Sequence, residues 1–165
     1  MVKSGQARRL VSHFSLKAVL TGMMIFMMAI SFAHWPFMFI LEQMTFWVFF
    51  LTLLQVSISL KCSYDTDICS KPSWLKAHHV LLEVITPMNI IATVVYWLVL
   101  SEKFNEKNKH DPFSLLHTAT VHSVPLIANV LNLLVTDVVF KMSHVLILIP
   151  IAFAYSAWNC YVTLS

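Results

Sequence analysis

The chain has 165 residues, of which 58% are hydrophobic and only 12% are charged, and its net charge is +3 at pH 7. Soluble domains carry about 25% charged residues, because charged side chains cover a surface that faces water. This composition excludes a soluble enzyme, a disordered chain and a nucleic-acid-binding module. The sequence instead predicts an all-α, polytopic transmembrane helical bundle whose main environment is the lipid bilayer.

Five apolar stretches are long enough to cross a bilayer core, which takes roughly 20 residues of helix. They cover residues of about 18–33, 37–60, 80–100, 112–140 and 145–164. The sequence His34-Trp35-Pro36 leaves a very short turn after the first stretch, so we expect the first two spans to form an antiparallel hairpin. Because all the loops are short, we expect residues 1–165 to form a single transmembrane domain.

The basic residues predict the orientation of this bundle. If the N-terminus lies in the cytosol, the inner segments hold most of the Lys and Arg residues, and such residues concentrate on the cytoplasmic side of membrane proteins. The inner group is Lys3, Arg8, Arg9, Lys17, Lys61, Lys71, Lys76 and Lys141, and the outer group is Lys103, Lys107 and Lys109. The sequence therefore predicts an integral, multi-pass protein with a cytosolic N-terminus.

Polar side chains are rare in the predicted spans, and an ionisable one costs about 2.5–3.5 kcal/mol there on insertion scales. Glu42 and Thr45 are three residues apart and share a face of the second span. One face of the fourth span carries Thr118, His122, Pro125 and Asn129. At 1.5 Å per residue from the predicted span ends, Thr45 and His122 lie at similar depths of roughly 12 Å and 15 Å. Their side chains are therefore expected to meet if the two helices are neighbours.

A hydroxyl and an imidazole at one level suggest acyl transfer. A threonine hydroxyl becomes a nucleophile when a base takes its proton, and a neutral imidazole can act as that base. In this interpretation Glu42 orients His122 or a water molecule, and Asn129 donates to an oxyanion. The substrate at this depth would be an acyl chain of the bilayer. The alternative is that Thr45 bonds a carbonyl of its own helix and that His122 only joins two helices.

Three segments resemble the androgen-induced membrane protein family. They are Leu41-Glu-Gln-Met-Thr45-Phe-Trp47, the stretch from Pro87 to Tyr96-Trp97, and the region from His122-Ser-Val-Pro125 through Phe140-Lys-Met-Ser-His144 to Ala154-Tyr155. The resemblance implies an intramembrane hydrolase of fatty-acid esters of hydroxy fatty acids, acting in lipid metabolism without a metal or cofactor. It also implies a location in the endoplasmic reticulum or the plasma membrane.

The same resemblance assigns the catalytic residues by position. Thr45 matches the family's threonine nucleophile, and His122 matches its histidine. Some members space the histidine and proline differently, in which case His117 is the match. Members usually have six helices, whereas five spans are predicted here, which puts the closure of the substrate pocket in question.

Other function classes remain open at this point. A non-catalytic subunit or scaffold of a larger membrane complex, with membrane-protein partners, is consistent with the short loops and the many aromatic residues. A b-type haem protein would use histidines near both membrane surfaces, namely His34, His117, His122, His78, His79 and His144. A transporter would use the inner polar residues Glu83, Asn89, Asn132 and Asp137.

Overall fold

A computed structural model of the chain describes residues 13–37, 40, 43–65 and 71–136, together with 146, 149–150, 153–154, 157 and 161. The elements in these residues are α1 (Phe14–His34), α2 (Met44–Tyr64), α3 (Pro72–Val95), a π-helical segment (Tyr96–Leu100), α4 (Ser101–Lys107) and α5 (Pro112–Leu134). The described part of the chain contains no strand, which confirms the predicted all-α class.

Three described helices are long and apolar enough to cross a membrane: Phe14–His34, Met44–Tyr64 and the continuous helix Pro72–Lys107. Helix α5 has 23 residues, which is a sufficient length, but it is not among these three. Its polar side chains lower its hydropathy, and several of them are buried against the other helices, including Ser114, His117, Asn129 and Asn132. The fifth predicted span, 145–164, lies mostly outside the described residues.

The helix ends differ from several of the predicted span boundaries. Helix α2 begins at Met44 rather than at 37, because the apolar run continues from Phe37 through the preceding connection and hides the start. Helix α3 begins at Pro72 rather than at 80, since proline suits the first position of a helix and the polar first turns are helical as well. The fourth predicted span extends to 140, whereas α5 ends at Leu134 and residues 137–140 lie outside the described part.

The start of α5 has a local explanation in the sequence Asp111-Pro112. The Asp111 carboxylate Oδ1 accepts a hydrogen bond from the backbone N–H of Ser114 at 3.1 Å. This cap satisfies one of the N–H groups that have no partner in the first helical turn. Pro112 occupies the first helical position, where its missing N–H costs nothing.

Helices α1, α2, α3 and α5 pack as a four-helix bundle in which α2 contacts each of the other three. The main apolar core lies between α1, α2 and α5 and includes Leu20, Met24, Phe46, Phe49, Val121 and Ala128. The second and fourth predicted spans are therefore neighbours, which is the condition for contact between Thr45 and His122.

Polar pairs also connect the helices inside the bundle. They are Thr52 with Asn89, Gln55 with His78, Ser59 with Asn132, and Lys17 with Ser63, at 2.9–3.0 Å. Such pairs contribute modestly to the association of membrane helices, about 0.6 kcal/mol each on average. They do, however, fix the rotation of each helix about its own axis. A helix turned to another face would leave these polar side chains without partners in the hydrocarbon of the bilayer.

Candidate active site

The hydroxyl Oγ1 of Thr45 lies 3.3 Å from the imidazole Nδ1 of His122. Thr45 is in the first turn of α2, and His122 is in the middle of α5. Both side chains are half-buried. Among the described residues, this nitrogen is a hydrogen-bonding partner of the Thr45 hydroxyl. The structure therefore brings together two side chains that are 77 residues apart in the sequence.

The depth of Thr45 has a different origin from the one expected. The rings of His34 and Phe113 lie 4.8 Å apart, so α1 ends and α5 begins at the same end of the bundle, which we call the His34 end. His122 is nine residues beyond Phe113, or roughly 13 Å deeper at 1.5 Å per residue. Because Thr45 contacts His122 from the first turn of its helix, α2 begins at about the depth of His122 and not at the His34 end. Thr45 therefore owes its depth to where α2 begins and not to a length of α2 before it.

Tyr96 completes the surroundings of the imidazole. Its ring stacks on that of His122 with centroids 3.9 Å apart and an angle of 3° between the planes. Tyr96 is 2% exposed and begins the π-helical segment, a type of helical irregularity that is frequent at functional sites. Sequence reasoning did not single out Tyr96. The sequence does contain a signal, the aromatic pair Tyr96-Trp97 inside an apolar span, but nothing in it indicates a histidine partner.

The backbone at His122 is held by a third contact. The hydroxyl of Thr93 on α3 donates to the His122 carbonyl oxygen at 2.7 Å. Pro125 lies three residues further along α5 and has no N–H, which weakens the helical ladder in this region. The Thr93 hydroxyl therefore ties the weakened turn of α5 to α3, and the ring of His122 is fixed from both its backbone and its face.

His117, the alternative histidine, has a different partner. Its Nε2 lies 3.0 Å from the Ser31 hydroxyl on α1. That hydroxyl donates to the Met27 carbonyl at 2.9 Å, so it accepts its second hydrogen bond from the His117 N–H. Because the Ser31 proton is already donated to a carbonyl, this pair joins α1 to α5 and leaves no proton for His117 to remove.

Two cavities meet near the Thr45–His122 pair. The polar cavity, of about 170 Å³, is lined by the polar side chains of Gln43, Thr45, Tyr96, His117, Thr118 and His122 and by apolar residues around them. The apolar cavity, of about 680 Å³, is lined by aromatic and aliphatic side chains of α1, α2 and the connection between them, and by Pro150 and Ala154 near the C-terminus. Phe46 lines both cavities.

The other two residues predicted to support this site differ in position. Asn129 is fully buried about two turns beyond His122, where its Oδ1 accepts a hydrogen bond from the Thr86 hydroxyl at 3.2 Å. It is not among the residues that line the polar cavity. Glu42 lies outside the described residues, as do Asp137 and His144.

The described part of the chain contains His, Cys, Asp and Glu side chains, which are the usual protein ligands of metal ions. Over residues 13–37, 40, 43–65 and 71–136 and the described positions beyond them, no three His, Cys, Asp or Glu side chains are grouped so that they could hold a metal ion. The polar side chains that line the polar cavity are those of Gln43, Thr45, Tyr96, His117, Thr118 and His122.

Comparison with known proteins agrees with the membrane character of the fold. No family model and no solved structure matches the chain. The chain is similar to the UPF0641 membrane protein PJ4664.05 of Schizosaccharomyces pombe, with 24% identity over 119 residues. The matched region is 67% of this chain and 53% of that protein, so the match spans about half the length of the relative. This chain is an integral membrane protein. Its described helices supply the membrane-spanning segments.

Proposed function

We propose that this protein is an intramembrane hydrolase of lipid esters, with fatty-acid esters of hydroxy fatty acids as its substrates. Thr45 is the nucleophile and His122 is the general base. The observation that supports this proposal is the 3.3 Å separation between Thr45 Oγ1 and His122 Nδ1 inside a cavity. A catalytic base has to lie within hydrogen-bond reach of the proton that it removes, and resting enzymes often show somewhat long contacts.

In the first half of the reaction, His122 Nδ1 takes the proton from Thr45 Oγ1 while the oxygen attacks the ester carbonyl carbon. The carbonyl oxygen of the tetrahedral intermediate becomes negatively charged. Thr45 lies in the first turn of α2, so the positive end of the helix dipole and the first backbone N–H groups are close to this charge. His122 then gives its proton to the leaving alkoxide, and the hydroxy fatty acid departs.

In the second half, the acyl group is bound to Thr45 as an ester. A water molecule attacks its carbonyl carbon and gives a proton to His122, and the acyl–oxygen bond to Thr45 breaks as Thr45 regains a proton. The products are the free fatty acid and the unmodified enzyme. The face of the Tyr96 ring against the imidazole favours the transient imidazolium, because the face of an aromatic ring attracts positive charge.

The family resemblance adds support at the same residues. Thr45 and His122 match the threonine and the histidine that the family uses, and the contact of Thr45 with His122 rather than with His117 favours His122 as the match. We propose a cytosolic N-terminus on the distribution of basic residues. A location in the endoplasmic reticulum or the plasma membrane follows only from the resemblance.

Hydrolysis by the purified protein in nanodiscs tests the proposal. We expect the wild type to turn over esters of hydroxy fatty acids, and Thr45→Val and His122→Gln to fall to background. Thr45→Ser keeps a hydroxyl and should retain turnover. Thr52→Val is the matched control, because Thr52 lies two turns further along α2 and bonds Val48 and Asn89 instead of a cavity histidine.

Two results would overturn the hydrolase proposal. One is a folded wild type that hydrolyses none of these esters. The other is full turnover by Thr45→Val or His122→Gln. If the inactive wild type also co-purified with membrane proteins in fixed stoichiometry, a non-catalytic subunit would be the better interpretation.

A further inference from the structure

The apolar cavity is next to the proposed catalytic pair but takes no part in the chemistry described so far. Met28 and Phe32 of α1 and Phe50 and Leu51 of α2 line it, and Pro150 and Ala154 contribute from the C-terminal region. Its volume of about 680 Å³ lies within the range of about 300–1,000 Å³ that is usual for ligand sites. Its wall offers a ligand almost no polar group.

Phe46 is the wall between this cavity and the polar cavity. It follows Thr45 directly in the first turn of α2, and its side chain is 8% exposed. Thr45 lines only the polar cavity, Trp47 lines only the apolar one, and Phe46 lines both. A hydrocarbon chain in the apolar cavity can therefore contact Phe46, the residue next to Thr45.

We propose that the apolar cavity binds the acyl chain of the ester whose carbonyl is attacked by Thr45, and that Phe46 determines which chains bring their carbonyl to Thr45. This inference rests on the proposed hydrolase function. A hydrocarbon chain needs burial and no hydrogen-bonding partner, which is what this wall provides. The ester carbonyl needs polar groups, and these lie beyond Phe46.

The structure also offers the acyl chain a route from the bilayer into the apolar cavity. Phe32 and Phe50 line the apolar cavity and are 49% and 59% exposed, so this side of the cavity opens on the surface of the helices that faces lipid. A substrate dissolved in the bilayer reaches the cavity sideways without passing through water. Only its ester group then has to pass Phe46.

Photo-crosslinking tests chain binding independently of catalysis. The probe is a palmitic acid with a diazirine near its methyl end, added to the protein in nanodiscs of unlabelled phosphatidylcholine, and the labelled peptides are mapped by mass spectrometry. Unlabelled palmitate is the competitor, since it displaces the probe from a site but not from the bulk bilayer. Leu98, which is 80% exposed on the π-helical segment and lines neither cavity, reports labelling by bulk lipid.

We expect labelling at Phe50 and Leu51 to be saturable and to fall at least fivefold with competitor, while labelling at Leu98 stays constant. Leu51→Trp fills the cavity and should remove the saturable labelling. Leu54→Trp introduces the same ring on the same helix, at a residue that is 42% exposed and does not line the cavity, and should leave labelling unchanged. The inference would be overturned if unlabelled palmitate lowered the labelling at Phe50 and Leu51 no more than it lowers the labelling at Leu98.

Repeating the labelling in Thr45→Val separates this inference from the proposed function. Saturable labelling together with an inactive wild type would overturn the hydrolase proposal and leave a chain-binding site. Turnover without saturable labelling would overturn only the proposed acyl-chain site.

A second experiment tests the role of Phe46. In an active protein, Phe46→Ala should shift kcat/KM toward esters with a branch near the carbonyl by at least fivefold. An unchanged preference would overturn the role of Phe46.

Discussion

The ring of Tyr96 lies parallel to the imidazole of His122, with 3.9 Å between the ring centroids. This stack holds the plane of the imidazole while its Nδ1 meets the Thr45 hydroxyl on a different helix. Three helical segments therefore contribute one side chain each to the same small volume. Tyr96 is a positioning residue here, since its own contact is with the ring of His122.

Tyr96→Leu removes the stack and should lower kcat by about tenfold with little change in KM, because an aromatic pair is worth about 0.5–1.5 kcal/mol beyond its buried area. Tyr96→Phe keeps the ring and should retain most of the rate. Steady-state kinetics with a water-soluble, short-chain ester as the substrate measures kcat and KM. A loss in Tyr96→Phe as large as in Tyr96→Leu would show that the hydroxyl, and not the stack, is required.

Ser31→Ala tests the pair that His117 forms with α1. The variant leaves the His117 N–H without its hydroxyl partner. We expect it to destabilise the bundle by about 0.6 kcal/mol, the average for hydrogen bonds between membrane helices, and by no more than about 1.7 kcal/mol, the largest such value. Turnover should stay within about twofold of the wild type, because Ser31 does not line the polar cavity. Unfolding in mixed detergent micelles gives the stability. Loss of turnover comparable to that of His122→Gln would instead identify the His117 pair as the reactive one.

Asp111→Ala removes the cap of α5. We expect it to cost about 1 kcal/mol of unfolding free energy, whereas Asp111→Ser should cost much less because its hydroxyl can accept the same hydrogen bond. The same unfolding assay measures both. Equal stability of Asp111→Ala and the wild type would mean that water caps this helix just as well.

The connection between α1 and α2 predicts a depth profile. In a variant without the three native cysteines, a spin label at position 34 should lie near the membrane surface and one at position 43 should lie roughly 10 Å deeper. Power saturation with oxygen and a water-soluble nickel complex measures the two depths. Equal depths would contradict a start of α2 inside the bundle at the level of His122.

Composition predicted the fold class, since a chain with so few charges can bury its surface only in lipid. The rise per residue from the predicted span ends also put Thr45 and His122 at one level, although Thr45 lies in the first turn of α2 and not eight residues into it. The sequence does not determine which helices are neighbours. Helix α2 begins at Met44, later than the predicted span, because the apolar residues Phe37 and Ile40 continue the hydrophobic pattern ahead of the helix. Tyr96 was missed because its partner lies on another helix and its orientation depends on a π-helical turn.

The candidate site forms late during synthesis of the protein, because its three side chains come from separate helical segments. Thr45 lies on α2, Tyr96 on the π-helical segment and His122 on α5. A ribosome delivers α2 to the membrane long before α5, so a growing chain contains the threonine without its histidine. In the proposed hydrolase, Thr45 would therefore stay inert among the surrounding lipids while the protein is being inserted. Reactivity would begin only when the last of these helices has joined the bundle, and hydrolysis would then also measure completed assembly.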